Sequence, residues 1–221
     1  QDLHWRITPQ RFPFEIDLDD LWERLEPARL LDEDIQTFPT EALLLFLCVH
    51  GSKDMWWKRI GWICDIAELL ASHPDLDWLY TLELATHTGA RRMLLLGLAL
   101  AHELLQAPLP EQVTSLIRSD NAVQSLVKHV RNRLFDEQAT GNPFLERQRF
   151  HCKVRERLQD RVPIYRNLVK VAFTSAFVPN TKERELIELP ASLSALYYLV
   201  RPARLAHKLW SQTFRRSNPT L

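Results

Sequence analysis

The residues whose types and spacing can do chemistry crowd into one segment, HGSKDMWWKRIGWICDIAELL, residues 50–70. Lys53 follows a Gly-Ser pair, and a flexible ammonium in such a turn can reach a phosphate as a point charge. Lys53 is equally readable as a solvated turn lysine. Arg59 can bind an anion in the same way or pair with Asp65. His50 either ends the preceding helix or contacts a substrate. Asp65 lies among Ile63, Cys64, Ile66 and Ala67. A carboxylate in an apolar run calls for a cation, a backbone donor or a metal, because burying it alone is costly. Trp56, Trp57 and Trp62 add more aromatic surface than a plain amphipathic helix needs, and each is also readable as core.

The elements that must position these residues are mostly helical. The chain has 221 residues, five glycines and thirteen prolines, too little glycine for the turns of a long β-rich fold. Residues 2–7 alternate as a strand does, and 12–16 form a second, weaker strand candidate. Asp19 or Asp20 is placed to cap a short helix through Leu25, and Asp17 and Asp19 read as helix-start acids. Thr40-Glu41 opens an apolar helix to about His50, with Gly51 as its C-cap. Ser52 or Asp54 then caps a helix through Trp57, Ile60, Ile63, Ala67 and Leu70. Further helices fit 76–88, 90–106, 110–118, 120–137, 143–160 and 164–176. A last one starts near Ala191 and is interrupted at Pro202. If 54–71 is one helix, Lys53 and Asp65 stand about 18 Å apart along it and about 120° around it. They then cannot grip one phosphate, unless the helix breaks near Gly61.

Composition bounds the partners. Lys plus Arg and Asp plus Glu are both 28, so the net charge is zero, and 46% of residues are hydrophobic. That excludes a disordered or collagen-like chain and binding of nucleic acid by bulk charge. The charge is polarised: residues 1–40 carry 10 acids and 4 bases, whereas 199–221 carry five bases and no acid. Arg201 and Arg204, flanking Pro202, either bind an anion weakly or pair with Glu183, Glu185 or Glu188. Cys48, Cys64 and Cys152 fit no CxxC metal pair, and Cys48 and Cys64 read as small core residues. The odd cysteine count and the lack of a signal peptide point to the cytoplasm. No apolar run is long enough for a transmembrane segment. His87, His102, His129 and His151 have no zinc-like spacing.

The segment 50–70 resembles, with one residue more between Lys53 and Trp57, the central signature H-G-x-K-x-x-W-x-R-x-x-W-x-x-D-I-A of an uncharacterised bacterial nucleotidyltransferase family in the polymerase-β-like superfamily. Two further stretches agree with it, in order along the chain. The opening DLHW, residues 2–5, is similar to that family's V-E/D-L-H-W strand. ELPASLSALYYLVRPARL, residues 188–205, is similar to its L-P-x-x-L-x-x-L-Y-Y-L-x-R-P-x-R-L motif. Asp54 departs from the family pattern, which more often has histidine there.

The resemblance implies transfer of a nucleotidyl group from Mg-NTP, ATP or another, to an acceptor hydroxyl on a protein, an RNA or a small molecule. Superfamily enzymes bind the triphosphate on a Gly-Gly/Ser turn and hold Mg2+ on a following D-x-D strand. That pair is not found in these 221 residues, since Gly51-Ser52 leads into a helix and D17-L-D19, D32-E-D34 and D75-L-D77 lack the turn. The expectation is that it lies on an upstream palm and that the chain alone is inactive. Residues 1–16 are then the palm's last strand or strands, and 17–221 a helical C-terminal domain. The fold class expected is mainly α with a short N-terminal β segment. By this resemblance Asp2 is the catalytic metal ligand, and Lys53, His50, Arg59 and Asp65 face the nucleotide. The alternatives are a non-catalytic helical module for a phosphate-bearing ligand, RNA or protein, and a peripheral membrane role for the basic, aromatic C-terminus. The oligomeric state is not implied.

Overall fold

The stretch from Arg91 to Leu105 is apolar on nearly every face, and an all-round apolar helix must be enclosed. It is the central helix of the fold, with every residue from Met93 to Ala101 buried. The structure is a computed structural model that describes Phe12 and residues 14–56, 58–135 and 142–177. The expected strand 2–7, Asp2, Trp57, the helix from Ala191, Arg201 and Arg204 lie outside the described residues.

Those residues form, in order, α1 (Leu18–Glu23), β1 (Glu26–Leu30), β2 (Glu33–Thr37), α2 (Thr40–Lys53), α3 (Gly61–Ser72), α4 (Trp78–His87), α5 (Arg91–Leu105), α6 (Glu111–Ser119), α7 (Asn121–Phe135), α8 (Pro143–Val154) and α9 (Leu158–Phe177). The class is mainly α with a short β segment near the N-terminus, as the sequence implies. Around α5 pack α2, α3, α4, α6 and α7, and α8 closes against α7 and α2. The core includes Leu44, Leu45, Cys48, Ile63, Ile66, Leu94, Leu98, Val123 and Val127. Compactness divides the chain at Ile164/Tyr165. The first unit holds all of these elements up to the start of α9. Of the second, residues 165–177 are described, and they are helical.

Several elements differ from expectation, each for a local reason. Residues 14–17 are irregular rather than a strand. Phe12 sits edge-on to His151 at 5.1 Å and Phe14 edge-on to Phe46 at 6.3 Å, so the apolar alternation marks two aromatic anchors rather than a ladder. Asp17, not Asp19 or Asp20, caps α1, its Oδ1 accepting the amides of both. The antiparallel hairpin β1–β2 is hidden in the sequence by Pro27 and by four carboxylates, all poor strand formers. The helix expected over 143–160 stops at Val154. There Arg155 leaves the helix, and its carbonyl accepts from the guanidinium groups of Arg92 and Arg161. The chain becomes helical again as α9, which absorbs Pro163 in its interior instead of ending there.

Cysteines split by environment. Cys48 is fully buried, and burial pushes its thiol far above the usual range. Cys64, expected in the core, is exposed on α3, and Cys152 is half-buried.

Candidate functional site

The site grows from a sharp turn at the end of α2. Gly51, expected to cap α2, lies inside it, and the helix continues to Lys53. Gly51 is there for closeness: a Cβ on it would stand 2.5–2.6 Å from the Trp56 ring. Gly97 on α5 flanks the same ring, where a Cβ would meet it at 3.0 Å. Trp56 is fully buried between these glycines, and its indole Nε1–H donates to Ser52 Oγ at 3.2 Å. Ser52 therefore holds the indole and caps no helix. To turn the ring inward, the backbone goes left-handed at both Met55 (φ 68) and Trp56 (φ 65). Bulky residues adopt that region at a cost of roughly 1–2 kcal/mol each, so the burial of Trp56 must hold the turn in place.

The turn breaks the helix expected over 54–71, and α3 starts afresh at Gly61. The separation along the axis expected for one continuous helix therefore does not apply. Trp62 in the first turn of α3 meets the His50 ring of α2 edge-on, with centroids 5.1 Å apart. The end of α2 and the start of α3 thus lie together. His50 Nδ1 is 3.5 Å from Lys53 Nζ. Lys53 Nζ lies 3.3 Å from Asp54 Oδ2, and Lys58 Nζ lies 3.6 Å from Asp54 Oδ1. Two ammonium groups share one carboxylate, and Arg59 beside them is exposed. The junction is net positive. Lys53 also offsets the partial negative charge of the α2 C-terminus.

The start of α3 adds a second anion-attracting feature. Its N-cap, Ile60, makes no side-chain capping bond, and nothing lies within 4 Å of where a Gly61 Cβ would be. The amides of Trp62, Ile63 and Cys64 are taken by the carbonyls of Arg59 and Ile60, so this helix start offers an approaching anion its positive dipole end at the exposed Gly61. From the far side His151 of α8 fixes the junction, its Nε2 3.1 Å from the Lys53 carbonyl oxygen. Such a contact requires the ring nitrogen to carry the hydrogen. Burial, with Arg155 and Arg147 nearby, lowers the His151 pKa to about 4. Burial and the charges of Lys53 and Arg59 lower that of His50, so both rings are neutral near pH 7.

The structure brings His50, Lys53, Asp54 and Lys58 together. Asp65 is exposed on α3, so the burial expected for it does not occur, and no ion pair between it and Arg59 forms among the described residues. Sequence reasoning does not single out Ser52, Asp54, Gly61 and His151 as site residues. Only Gly61, the position at which the expected helix could break, carries a local signal. Among the described residues no three His, Cys, Asp or Glu side chains converge as a metal-binding set. No described helix is long and apolar enough to cross a membrane.

A cavity of about 740 Å³ lies elsewhere in the first unit, lined among others by Glu15, Asp17, Asp20, Asp160, Leu84 and Arg157. Arg157 is committed to the carbonyl oxygens of Thr86 and His87 at the end of α4. Its acidic wall repels a triphosphate, and none of the candidate residues lines it.

Against known proteins, residues 2–106 match the model of a family described as uncharacterised nucleotidyltransferase. The match takes in the whole junction from His50 to Asp65, and it agrees with the resemblance drawn from the motifs. No curated protein and no solved structure matches the chain.

Proposed function

We propose, from the nucleotidyltransferase family matched by residues 2–106, that this chain holds the nucleotide in a nucleotidyl transfer reaction. An acceptor hydroxyl attacks the α-phosphorus of an NTP in line. The new P–O ester bond forms as the bond to pyrophosphate breaks, and the hydroxyl proton passes to water. Magnesium would enter with the triphosphate, and Asp2 is this chain's candidate ligand for it. The acceptor is a protein, an RNA or a small molecule, and the transfer requires a palm that carries the D-x-D pair.

The observation that supports this reading is the α2–α3 junction. It combines two ammonium groups on one shared carboxylate with the positive dipole end of α3 at an open glycine. Lys53 is the phosphate contact. Binding exchanges its pairing with Asp54 for a phosphate oxygen, and Lys58 keeps Asp54 neutralised. His50, neutral and beside Lys53, holds the ammonium without adding charge. Arg59 is the second cation available to the phosphates. Asp65, exposed one turn into α3, is the candidate contact to the ribose or base rather than to the phosphates.

Equilibrium binding of ATP with magnesium to the chain tests this. Lys53→Ala should weaken it about tenfold or more, the usual loss for a charge-assisted contact, with the denaturant midpoint barely moved. ATP binding indifferent to Lys53→Ala and Lys58→Ala would overturn the assignment. Binding with no pyrophosphate released, even with the complete protein, would leave the non-catalytic module for a phosphate-bearing ligand.

A further inference from the structure

The hairpin β1–β2 has one edge that is closed to further pairing and one that is open. Its register pairs Leu30 with Glu33 across the two-residue turn Leu31-Asp32, then Arg29 with Asp34, Ala28 with Ile35, Pro27 with Gln36 and Glu26 with Thr37. In a two-residue hairpin the closing pair is hydrogen-bonded, and bonded and non-bonded pairs then alternate. Pro27 and Gln36 therefore occupy a non-bonded pair, whose amide positions point outward from the hairpin. On β1 the outward donor at position 27 is missing, because proline has none, so that edge resists a further strand. On β2 the outward N–H and C=O groups of Asp34 and Gln36 remain available, and no described element pairs with them.

The hairpin as a whole is strongly acidic. The hairpin carries Glu26, Asp32, Glu33 and Asp34 against Arg29 alone, and the four acids are exposed. Between them Ile35 is 39% exposed, an apolar residue with room for a neighbour on its own face. A second copy of the hairpin would bring a like charge of −3 against −3, which opposes self-pairing. Nucleic acid is repelled for the same reason. We infer that the β2 edge is a docking site for an extended, lysine- or arginine-rich segment of a partner protein, added as a third strand. Backbone bonds to Asp34 and Gln36 give it affinity, and the flanking carboxylates select basic side chains.

The test uses the full chain and a fluorescein-labelled ten-residue peptide alternating lysine and valine, followed by fluorescence anisotropy. The inference expects saturable binding that weakens about tenfold for Gln36→Pro, which removes the outward donor as Pro27 does on β1. The same peptide with its four central amides N-methylated should weaken by a similar factor, and this arm needs no protein variant if Gln36→Pro does not fold. Asp34→Lys should weaken it as well, and the effect should shrink at high salt. No binding up to millimolar peptide overturns the inference. So does binding indifferent to both Gln36→Pro and N-methylation, which would be charge attraction alone. A doubled mass in sedimentation that Gln36→Pro abolishes would give the edge to a second copy of this chain and overturn it too.

Discussion

Three described helix junctions turn this chain through the left-handed region, at Gly89, at Met55 and Trp56, and at Gln106, and the first two do so by opposite means. Between α4 and α5 the turn is made by Gly89, at φ 70, a conformation that costs glycine almost nothing. Between α2 and α3 it is made by Met55 and Trp56, two bulky residues that resist it. The first junction is a connector, closed by Arg157 bonding to the carbonyls at the end of α4. The second carries the paired lysines. The difference shows where strain is tolerated. Packing of Trp56 between Gly51 and Gly97 over-determines the second turn, so the charged groups on it are held rather than merely connected.

The comparison breaks most easily at Trp56. Replacing it with alanine should cost about 3–5 kcal/mol in urea denaturation, since the loss of ring burial and the cavity left behind outweigh any strain that the turn releases. A loss below about 1 kcal/mol would mean that the ring does not hold the turn. Acid should come next. His151 is neutral in the folded chain because its pKa is lowered to about 4, while an unfolded histidine titrates near 6.5. The unfolded state thus binds the extra proton first. Its contribution is complete above about pH 6.5 and is lost as the pH falls toward 4, on the order of 3 kcal/mol at most. Denaturant midpoints across that window should fall less steeply for His151→Phe, with a residual slope from His50 and His129, whose pKa values are lowered in the same direction. Unchanged slopes would remove His151 from the account. The connector should respond least. Gly89→Ala should cost about 1–2 kcal/mol in thermal unfolding, and its Cβ would also crowd Arg157 Cδ and Asp160 Oδ2, each at 3.0 Å. It should leave ATP binding unchanged, whereas a change there would erase the contrast between the junctions.

Legibility in the sequence tracks the reach of each signal. The helices from Trp78 to Phe135 fall within a residue or two of expectation, because periodicity and caps such as Asp77 and Asp120 act within one turn. The 50–70 segment is visible as chemistry but not as shape. Gly51 looks like a helix terminator, yet its reason is Trp56 and Gly97 on another helix, information that no local window holds. Asp65 and Cys64 read inward because their neighbours are apolar. In α3 the buried face is Ile63, Ile66 and Leu70, and both residues fall just off it. The contact between His151 and the Lys53 carbonyl spans ninety-eight positions and leaves no trace in the sequence. Asp2, Arg201 and Arg204 lie outside the described residues, so their expected roles stand as readings of sequence alone.

Cys48 turns the layer between α2 and α5 into something that can be timed. Its sulfur faces Gly97, where a Cβ would come within 2.5 Å of Sγ, and its thiol is held protonated by burial. To an alkylating reagent near neutral pH the folded chain therefore offers at most Cys64 and Cys152, and the third thiol reacts only when α2 parts from α5. The rate at which a third label appears is a clock on the opening of that layer, running on the native chain without denaturant.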